Sequence, residues 1–234
     1  IYEVNAIRRH ISAMNGGMLA KRIQSVGAEL IGFGISDAVG NPATGDIGVP
    51  YEKYASTPMG PDKTTLEDAR RVIRDYNVAD RLPKNVVDYL MNVGPEGETP
   101  KAFPDNTYFL LNTLPDSGSY AKEIAEEMGL QAMILSSFLE GESKDAGSFF
   151  ASIAREAQAY GNPIKPPCVI LSSGETTTKI LDNSTITGHG GPGQELTLSF
   201  AILAAKTKGA CMLSIDSEGT DGTTPVAGGI CDST

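Results

Sequence analysis

A strand, a helix and a second strand follow one another between residues 168 and 215: CVIL at 168–171, QELTLSFAILAAK at 194–206 and ACMLSI at 210–215. The two strands are short apolar runs, and the helix between them is rich in leucine, isoleucine and phenylalanine. Strands that alternate with helices form largely parallel sheets with helices on their faces. The segment therefore predicts an α/β fold, in which ligands bind beyond the carboxyl ends of the strands.

The same alternation extends toward the N-terminus. Strands are predicted at 108–112 and 132–135, with helices at 119–128 and 145–160. Further upstream the pattern predicts a helix at 6–26 that Gly16 and Gly17 interrupt, then a strand at 29–35. A helix from Thr64, with Thr64 as its cap and Glu67 three residues on, and a helix at 84–91 follow.

Two stretches lack periodicity. Residues 38–62 form a long loop rich in glycine, proline and threonine, and residues 94–106 hold three prolines and two glycines. The second stretch is the better domain boundary. We therefore predict largely parallel sheets with flanking helices in two domains: 1–94, an incomplete N-terminal domain, and 107–234, joined by a linker at 95–106.

Composition narrows the classes of function. The formal net charge is −10, which argues against nucleic acid, because phosphate backbones are bound by Lys/Arg surfaces. No apolar stretch is long enough to cross a bilayer. Cys168 and Cys211 lie beside apolar runs and fit a core in a reducing cytoplasm. The chain starts at Ile1 and stops after an apolar run, so we interpret it as a fragment of a longer enzyme.

A glycine-rich loop precedes the helix at 194–206. It reads GHGGPGQE at 188–195, and glycines there let the backbone approach a ligand closely. The helix N-terminus adds unpaired N–H groups and the positive end of a dipole. Gly190, Gly191 and the helix start near Gln194 therefore predict an anion site, whereas a flexible turn with an ordinary cap is the alternative.

An acidic loop follows the strand at 211–215. Its carboxylates are Asp216, Glu218 and Asp221, and interleaved hydroxyls suit a hard cation such as Mg²⁺. A calcium EF-loop is excluded because its twelfth position is Ala227 rather than Glu. An acidic turn without a ligand remains the alternative. If Asp221 binds Mg²⁺, Asp221→Asn is expected to change the Mg²⁺ requirement and leave the melting temperature nearly unchanged.

Two further carboxylates follow predicted strands. Glu175 lies among hydroxyls in SSGETTT at 172–178, and could orient a substrate hydroxyl or simply face solvent in a polar hairpin. Asp37 ends the strand at 29–35, where it could accept a proton from a hydroxyl or cap a turn. A crevice between the domains would bring both carboxylates to one ligand.

Six segments resemble, in order, the motifs of the class II glycerate kinases, the glycerate 2-kinases that carry a MOFRL domain. They are NAIRRHISAMNGGMLA at 5–20, SDAVGN at 36–41, LEGES at 139–143, SGET at 173–176, GHGGPGQE at 188–195 and DSEGTDGTTPVAGG at 216–229. The resemblance spans nearly the whole chain. One departure matters: Pro192-Gly193 replaces an Arg-Asn pair, which removes a guanidinium that could neutralise phosphate charge.

The resemblance implies a function and a set of site residues. It implies transfer of the γ-phosphoryl group of ATP, with Mg²⁺, to the 2-hydroxyl of D-glycerate, with Asp37 and Glu175 as catalytic residues. The residues implied at the nucleotide are Gly190, Gly191, Gln194, Glu195, Thr220 and Gly222, and those at the metal are Asp216, Glu218 and Asp221. It leaves a homodimer open.

Two other functions stay open. Some members of the family carry the label hydroxypyruvate reductase, although no dinucleotide-binding GxGxxG sequence follows a strand here. A catalytically silent ligand-binding module is the second alternative, because the arginine of the glycine loop and the family's N-terminal part are missing.

Overall fold

A computed structural model describes residues 2–39, 58–103, 106–180 and 188–232 of the chain. The chain splits into two compact units, Ile1–Thr113 and Leu114–Thr234. Both are mixed α/β structures with small sheets and helices, so the predicted fold class is confirmed. The domain division at 95–106 stays a prediction. Residues 40–57, most of the predicted loop at 38–62, lie outside the described residues.

The first unit contains four helices and two strands within its described residues. They are α1 (Tyr2–Ile11), α2 (Met18–Ser25), β1 (Leu30–Ile35), α3 (Leu66–Asp75), α4 (Lys84–Asn92) and β2 (Asn106–Asn112), with single 3₁₀ turns at Ala79–Arg81 and Pro95–Gly97. Strands β1 and β2 are parallel, with Leu30 opposite Asn106 and Gly34 opposite Leu110.

The helix predicted at 6–26 is two helices, because Gly16 and Gly17 adopt left-handed backbone angles with φ of 66° and 79°. A helix cannot continue through such residues. A Cβ on Gly17 would lie 2.7 Å from the carbonyl oxygen of Gly60 and from the ring of Phe103. The glycines therefore separate α2 from α1 and allow a close approach between two chain segments.

The cap of α3 differs from the prediction by one residue. Thr65 accepts a hydrogen bond from the Asp68 N–H (3.1 Å), and the Asp68 carboxylate accepts one from the Thr65 N–H (2.8 Å). These two bonds form a capping box. The prediction of Thr64 with Glu67 was wrong, because the Thr64 hydroxyl is buried and donates to Asp62 instead.

A buried polar network holds the first unit together beside its small apolar core of Leu66, Ala69, Ile73 and Leu90. The Asp62 carboxylate accepts hydrogen bonds from the Arg9 guanidinium (2.9 Å) and the Thr99 hydroxyl (2.9 Å). Glu98 contacts His10 Nε2 at 2.9 Å and Lys101 Nζ at 2.7 Å. The Arg9 and Asp62 charges are almost fully buried, and such charges persist only when they are paired in this way.

The Glu98 carboxylate also accepts a hydrogen bond from the Leu66 N–H at the start of α3 (3.0 Å). Burial opposes its ionisation. The hydrogen bonds from Lys101, from the Leu66 amide and from His10 outweigh burial and lower the pKa of Glu98 from 4.5 to about 2. Glu98 therefore links α1, α3 and the segment before β2 as a carboxylate.

The second unit contains three helices and four strands within its described residues. They are α5 (Leu114–Glu127), β3 (Gln131–Glu142), α6 (Ser143–Tyr160), β4 (Cys168–Thr177), α7 (Pro192–Ala204), β5 (Cys211–Ile215) and β6 (Gly228–Asp232). Strands β3 and β4 are parallel, from Gln131 opposite Cys168 to Glu142 opposite Thr177. Strands β5 and β6 are antiparallel, from Cys211 opposite Asp232 to Ile215 opposite Gly228.

Several element ends differ from their predictions. Strand β3 continues seven residues beyond Leu135, and β4 six beyond Leu171, because their polar residues pair with each other along the parallel ladder. Helix α5 begins at Leu114 because Pro115 lies in its first turn, where its missing N–H costs nothing. Strand β6 was not predicted, since two of its five residues are glycine, which is depleted in strands.

The core of the second unit lies between α6, α7 and the β5–β6 pair. Ala151, Phe200 and Ala204 are buried there, and Met212 and Cys231 pack against them from the strands. A Cβ on Gly147 of α6 would lie 2.7 Å from Ser199 Cβ, so this glycine permits the close packing of α6 on α7. None of the helices in the described residues has the length and apolarity that a membrane span requires.

Candidate functional site

Two loops of the second unit meet at the N-terminus of α7: the glycine loop (188–193) and the acidic loop (216–227), which joins β5 to β6. The Thr223 N–H donates to the Gly190 carbonyl at 3.0 Å. Gly222 has a φ of 59°, and a Cβ there would collide with the same carbonyl. The two loops are therefore joined along their backbones, in a way that requires glycine at this position.

Asp221 is the central residue of this contact. Only 1% of Asp221 is exposed, and its carboxylate accepts hydrogen bonds from the Gly193 N–H (3.1 Å) and the Gln194 N–H (2.8 Å). The Gln194 side-chain amide donates to the carboxylate (3.0 Å) and to the Thr224 hydroxyl (2.8 Å). Asp221 thus caps the first turn of α7 from another loop, where a negative charge is favoured by the helix dipole.

This cap changes the interpretation of the glycine loop. The predicted anion site offers the helix N-terminus to a ligand, but Asp221 already accepts two of its N–H groups. A Cβ on Gly191 would collide with the Asp221 carboxylate, so the glycine is needed for packing of the chain on itself. Contact of Gly190 and Gly191 with a phosphate stays a prediction.

The structure does not bring the three carboxylates of the acidic loop together. Asp216 accepts a hydrogen bond from the Glu218 N–H (2.8 Å), Glu218 is exposed, and Asp221 is turned to α7. Among the residues described, no three His, Cys, Asp or Glu side chains converge in a way that could hold a metal ion. A Mg²⁺ ion at Asp216 or Glu218 would therefore need further ligands from elsewhere, such as phosphate oxygens.

Glu195, in the first turn of α7, has a carboxylate oxygen that is buried and unsatisfied. Its Oε2 atom makes no hydrogen bond, and it is the only such side-chain atom recorded for the described part of the chain. A buried carboxylate oxygen without a partner costs free energy, on the order of 1–3 kcal/mol or more for a charged group. Of the predicted residues, Glu195 is thus the one that most clearly fits a cation or a hydrogen-bond donor.

Thr220 is exposed in the acidic loop, and Gly222 is engaged with Gly190 as described above. His189 Nδ1 lies 3.4 Å from the Thr223 hydroxyl, which also contacts the Gly190 N–H at 3.4 Å. The exposed rim of the two loops therefore carries an imidazole, hydroxyls and carboxylates. Such groups suit a polar, charged ligand.

Asp37 lies two residues after the end of β1 and is exposed. Its neighbour Ser36 is buried, donates its N–H to the Asn112 carbonyl (2.9 Å) and accepts from the Ala38 N–H (3.3 Å). The backbone before and after Asp37 is thereby fixed at the carboxyl end of a parallel strand. This is the end of a sheet at which α/β proteins bind ligands.

Glu175 lies within β4, not in a loop after it. It is exposed and opposite Glu140 of β3, a like-charge neighbour. Gly174 beside it is required because a Cβ there would collide with the Leu139 backbone, where the β3–β4 register shifts. The expectation of a loop at 172–178 was wrong, and Asp37 and Glu175 belong to different compact units.

Sequence reasoning did not predict the role of Thr224 or the joint role of Gln194 and Asp221. A carboxylate that caps a helix from a loop 27 residues away leaves no local signature. The glycines at 191 and 222 were the available signal, since both mark close backbone approach as well as flexibility.

Comparison with known proteins shows the family to which the chain belongs. Residues 1–91 match the family described as "Domain of unknown function (DUF4147)", and residues 168–234 match the MOFRL family. These are the two parts of the glycerate kinase family. The chain belongs to that glycerate kinase (DUF4147/MOFRL) family, as its motifs indicated.

Three relatives show the extent of the match. A glycerate 2-kinase from Pyrococcus horikoshii is 38% identical over 100% of this chain and 50% of its own length. The crystal structure of a glycerate kinase from Thermotoga maritima matches with a TM-score of 0.73, at 32% identity over 99% of this chain and 51% of that one. A putative hydroxypyruvate reductase from Agrobacterium vitis is 33% identical over 97% of this chain and 55% of its own length. The chain thus spans about half the length of these relatives.

Proposed function

We propose that this chain forms part of a glycerate 2-kinase, which transfers the γ-phosphoryl group of ATP to the 2-hydroxyl of D-glycerate. The observation that carries the proposal is the 38% identity to the Pyrococcus horikoshii glycerate 2-kinase along the whole of this chain. The fold supports it, since the chain matches half of a solved glycerate kinase at a TM-score of 0.73. A cytoplasmic location and a homodimer remain predictions.

We assign the substrate side to the end of β1. Asp37 would accept the proton of the attacking hydroxyl, because an exposed carboxylate at a fixed strand end can reach a bound ligand. Glu175 is exposed on β4 and would hold another substrate hydroxyl.

We assign the nucleotide side to the rim of the glycine and acidic loops. Gly190, Gly191, Thr220 and Gly222 would contact the phosphates of ATP. Because no three carboxylates converge among the described residues, Asp216, Glu218 or Glu195 would each contribute singly to Mg²⁺, together with phosphate oxygens. Bound Mg²⁺ supplies neutralisation of the charge on the transferred phosphoryl group. Asp221 is assigned to positioning, since its carboxylate holds the first turn of α7 beside the loop.

The test is a chimera in which this chain replaces the matching half of the Pyrococcus horikoshii enzyme. With ATP, Mg²⁺ and D-glycerate the chimera should release ADP, and Asp37→Asn should lower turnover by roughly 10²–10⁴-fold, the usual share of a general base. Glu29→Gln is the matched control, because Glu29 is an exposed carboxylate just before the other end of β1. Full turnover in Asp37→Asn would remove this residue from the mechanism.

The alternative is hydroxypyruvate reduction, favoured by the name of the Agrobacterium vitis relative. The same chimera, given hydroxypyruvate and NADH or NADPH, should leave the cofactor unoxidised if the kinase proposal is right. Nucleotide binding without ADP release or cofactor oxidation would instead favour a silent ligand-binding module.

A further inference from the structure

His189 is the one side chain of the glycine and acidic loops that can carry a positive charge. The loops comprise residues 188–193 and 216–227, all of which the structure describes, and neither contains lysine or arginine. Their other ionisable groups are the carboxylates of Asp216, Glu218 and Asp221. An anionic ligand at the rim of these loops therefore has a single group from them that can neutralise its charge.

The His189 ring is held at the rim by one of its two nitrogens. Nδ1 lies 3.4 Å from the Thr223 hydroxyl, and the Thr223 N–H donates to the Gly190 carbonyl at 3.0 Å. The contact at Nδ1 is the single hydrogen bond found for the His189 side chain among the described residues, and His189 is exposed. The second ring nitrogen, Nε2, is therefore left for a ligand.

The carboxylates of the site do not neutralise the imidazole. The Asp221 carboxylate is buried and accepts two N–H groups of α7, and Asp216 accepts the Glu218 N–H. Glu218 is exposed, and the Oε2 atom of Glu195 is buried without a partner. In the part of the chain that the structure describes, none of the four forms an ion pair with His189. A charge on His189 is thus available to a ligand.

We propose that His189, as an imidazolium, donates a hydrogen bond from Nε2 to a phosphate oxygen of a polyphosphate ligand. The identity of that ligand as the phosphate chain of ATP rests on the proposed function. A protonated imidazole donates from both nitrogens, and hydrogen bonds from a charged donor to phosphate are among the stronger ones in proteins. Nδ1 then donates to the Thr223 hydroxyl, which itself lies 3.4 Å from the Gly190 carbonyl.

The proposal has a consequence for pH dependence. Imidazole is the side chain that ordinarily changes its charge between pH 5 and pH 8. Asp216 and Glu218 repel a polyphosphate, and only a charged His189 offsets that repulsion within the two loops. Binding of the phosphates should therefore weaken as pH rises and the imidazole loses its proton.

The test uses this chain itself, with inorganic tripolyphosphate as the probe and Mg²⁺ at a fixed concentration. The chain has two histidines, His10 and His189, so the imidazole C–H signals in proton NMR report on the contact without crowding. His10 is buried and serves as the internal control. Tripolyphosphate at pH 6 should shift the His189 signal and leave the His10 signal in place.

Two substitutions separate the charge of His189 from its hydrogen bond. His189→Gln keeps a donor without charge, and His189→Arg keeps the charge at every pH used. Dissociation constants are measured by ³¹P NMR of the probe. At pH 6, His189→Gln should bind at least about threefold more weakly than the parent, and His189→Arg within about twofold of it. At pH 8 the parent should bind at least about threefold more weakly than His189→Arg. Comparing proteins at one pH cancels the change in protonation of the probe.

Lys206→Gln is the matched control. Lys206 is an exposed cation of the same unit beyond the opposite end of α7, about 20 Å along the helix from its first turn. Its removal should leave the dissociation constant within about 1.5-fold at both pH values. An unmoved His189 signal at pH 6 would overturn the proposal. So would equal losses in His189→Gln and Lys206→Gln, or a parent that binds as tightly as His189→Arg at pH 8.

Turnover of the chimera defined above separates this proposal from the proposed reaction. If the chimera releases ADP and His189→Gln leaves its KM for ATP unchanged at pH 6, the role of His189 is refuted and the kinase stands. If tripolyphosphate shifts the His189 signal of this chain as expected and the chimera releases no ADP, the binding role stands and the kinase is refuted.

Discussion

Removing the Asp221 carboxylate should destabilise the second unit. Asp221→Ala leaves the N–H groups of Gly193 and Gln194 without their acceptor and removes a negative charge from the helix N-terminus. Loss of a helix cap costs about 0.5–2 kcal/mol, and loss of a favourable charge–dipole interaction about 0.3–1 kcal/mol. Together these costs are about 1–3 kcal/mol, and we expect the upper part of that range, about 2–3 kcal/mol, because Asp221 is only 1% exposed.

For a chain of this size each 1 kcal/mol shifts the melting temperature by roughly 2–4 °C, so Asp221→Ala should lower it by about 4–12 °C. Asp221→Asn keeps one acceptor oxygen, but it loses the charge and turns an NH2 group toward either the Gly193 N–H or the Gln194 donors, so its loss of stability should approach that of Asp221→Ala. The structure thereby replaces the earlier expectation of a nearly unchanged melting temperature. The reason is that Asp221 is buried and hydrogen-bonded, not free for a metal ion.

The assay is thermal unfolding followed by circular dichroism, with hydrogen exchange at residues 193–197 to localise the loss to α7. Glu218→Gln is the matched control, because Glu218 is exposed in the same loop and no hydrogen bond is recorded for its side chain; it should stay within about 0.5 kcal/mol. A melting temperature for Asp221→Ala within 1–2 °C of the parent, or exchange at 193–197 that does not rise, would refute the capping role.

Other substitutions test other parts of the structure. Glu98→Gln should remove part of the pH dependence of the free energy of unfolding. The pKa of Glu98 is lowered to about 2, so the carboxylate stabilises the fold fully above pH 4.5, and this stabilisation is lost as pH falls from 4.5 toward 2. Because a third of that side chain is exposed, we expect it to contribute about 1–2 kcal/mol to the free energy of unfolding. Urea unfolding of the parent and of Glu98→Gln at pH 3 and pH 6 measures this contribution. If the variant loses the same stability at both pH values, the result counts against the network. Thr65→Ala should cost about 1 kcal/mol and speed amide exchange at 66–68, whereas unchanged exchange would restore Thr64 as the cap. Glu195→Gln in the chimera should raise the Mg²⁺ concentration needed for half-maximal turnover without lowering the melting temperature, and an unaltered Mg²⁺ titration would exclude Glu195 from the metal site.

The sequence predicted the type of most elements because their signals are local. The apolar runs at 30–35, 168–171 and 211–215 are strands, and the periodic segments at 66–75, 84–92 and 143–160 are helices. Element ends were less predictable. Polar residues such as Glu140 and Glu175 extend β3 and β4 through pairing across the ladder, which no single segment reveals.

The contacts of the candidate site could not be predicted from the sequence, because the same glycines fit several different structures. Glycines at 191 and 222 are compatible with a ligand, with a flexible turn, or with a second loop in close contact. Only the structure shows that the acidic loop packs against these glycines and that the Asp221 carboxylate is the anion at the N-terminus of α7. The buried pair Arg9–Asp62 and the half-buried pair His10–Glu98 likewise join residues 53 and 88 positions apart.

The most direct test of the proposed reaction is the identity of the product. The chimera is incubated with ATP, Mg²⁺ and D-glycerate, and the phosphorylated product is identified by ³¹P NMR. Our account predicts 2-phosphoglycerate together with an equal amount of ADP. Formation of 3-phosphoglycerate alone, or no phosphorylated glycerate while hydroxypyruvate is reduced at the expense of NADH or NADPH, would contradict it.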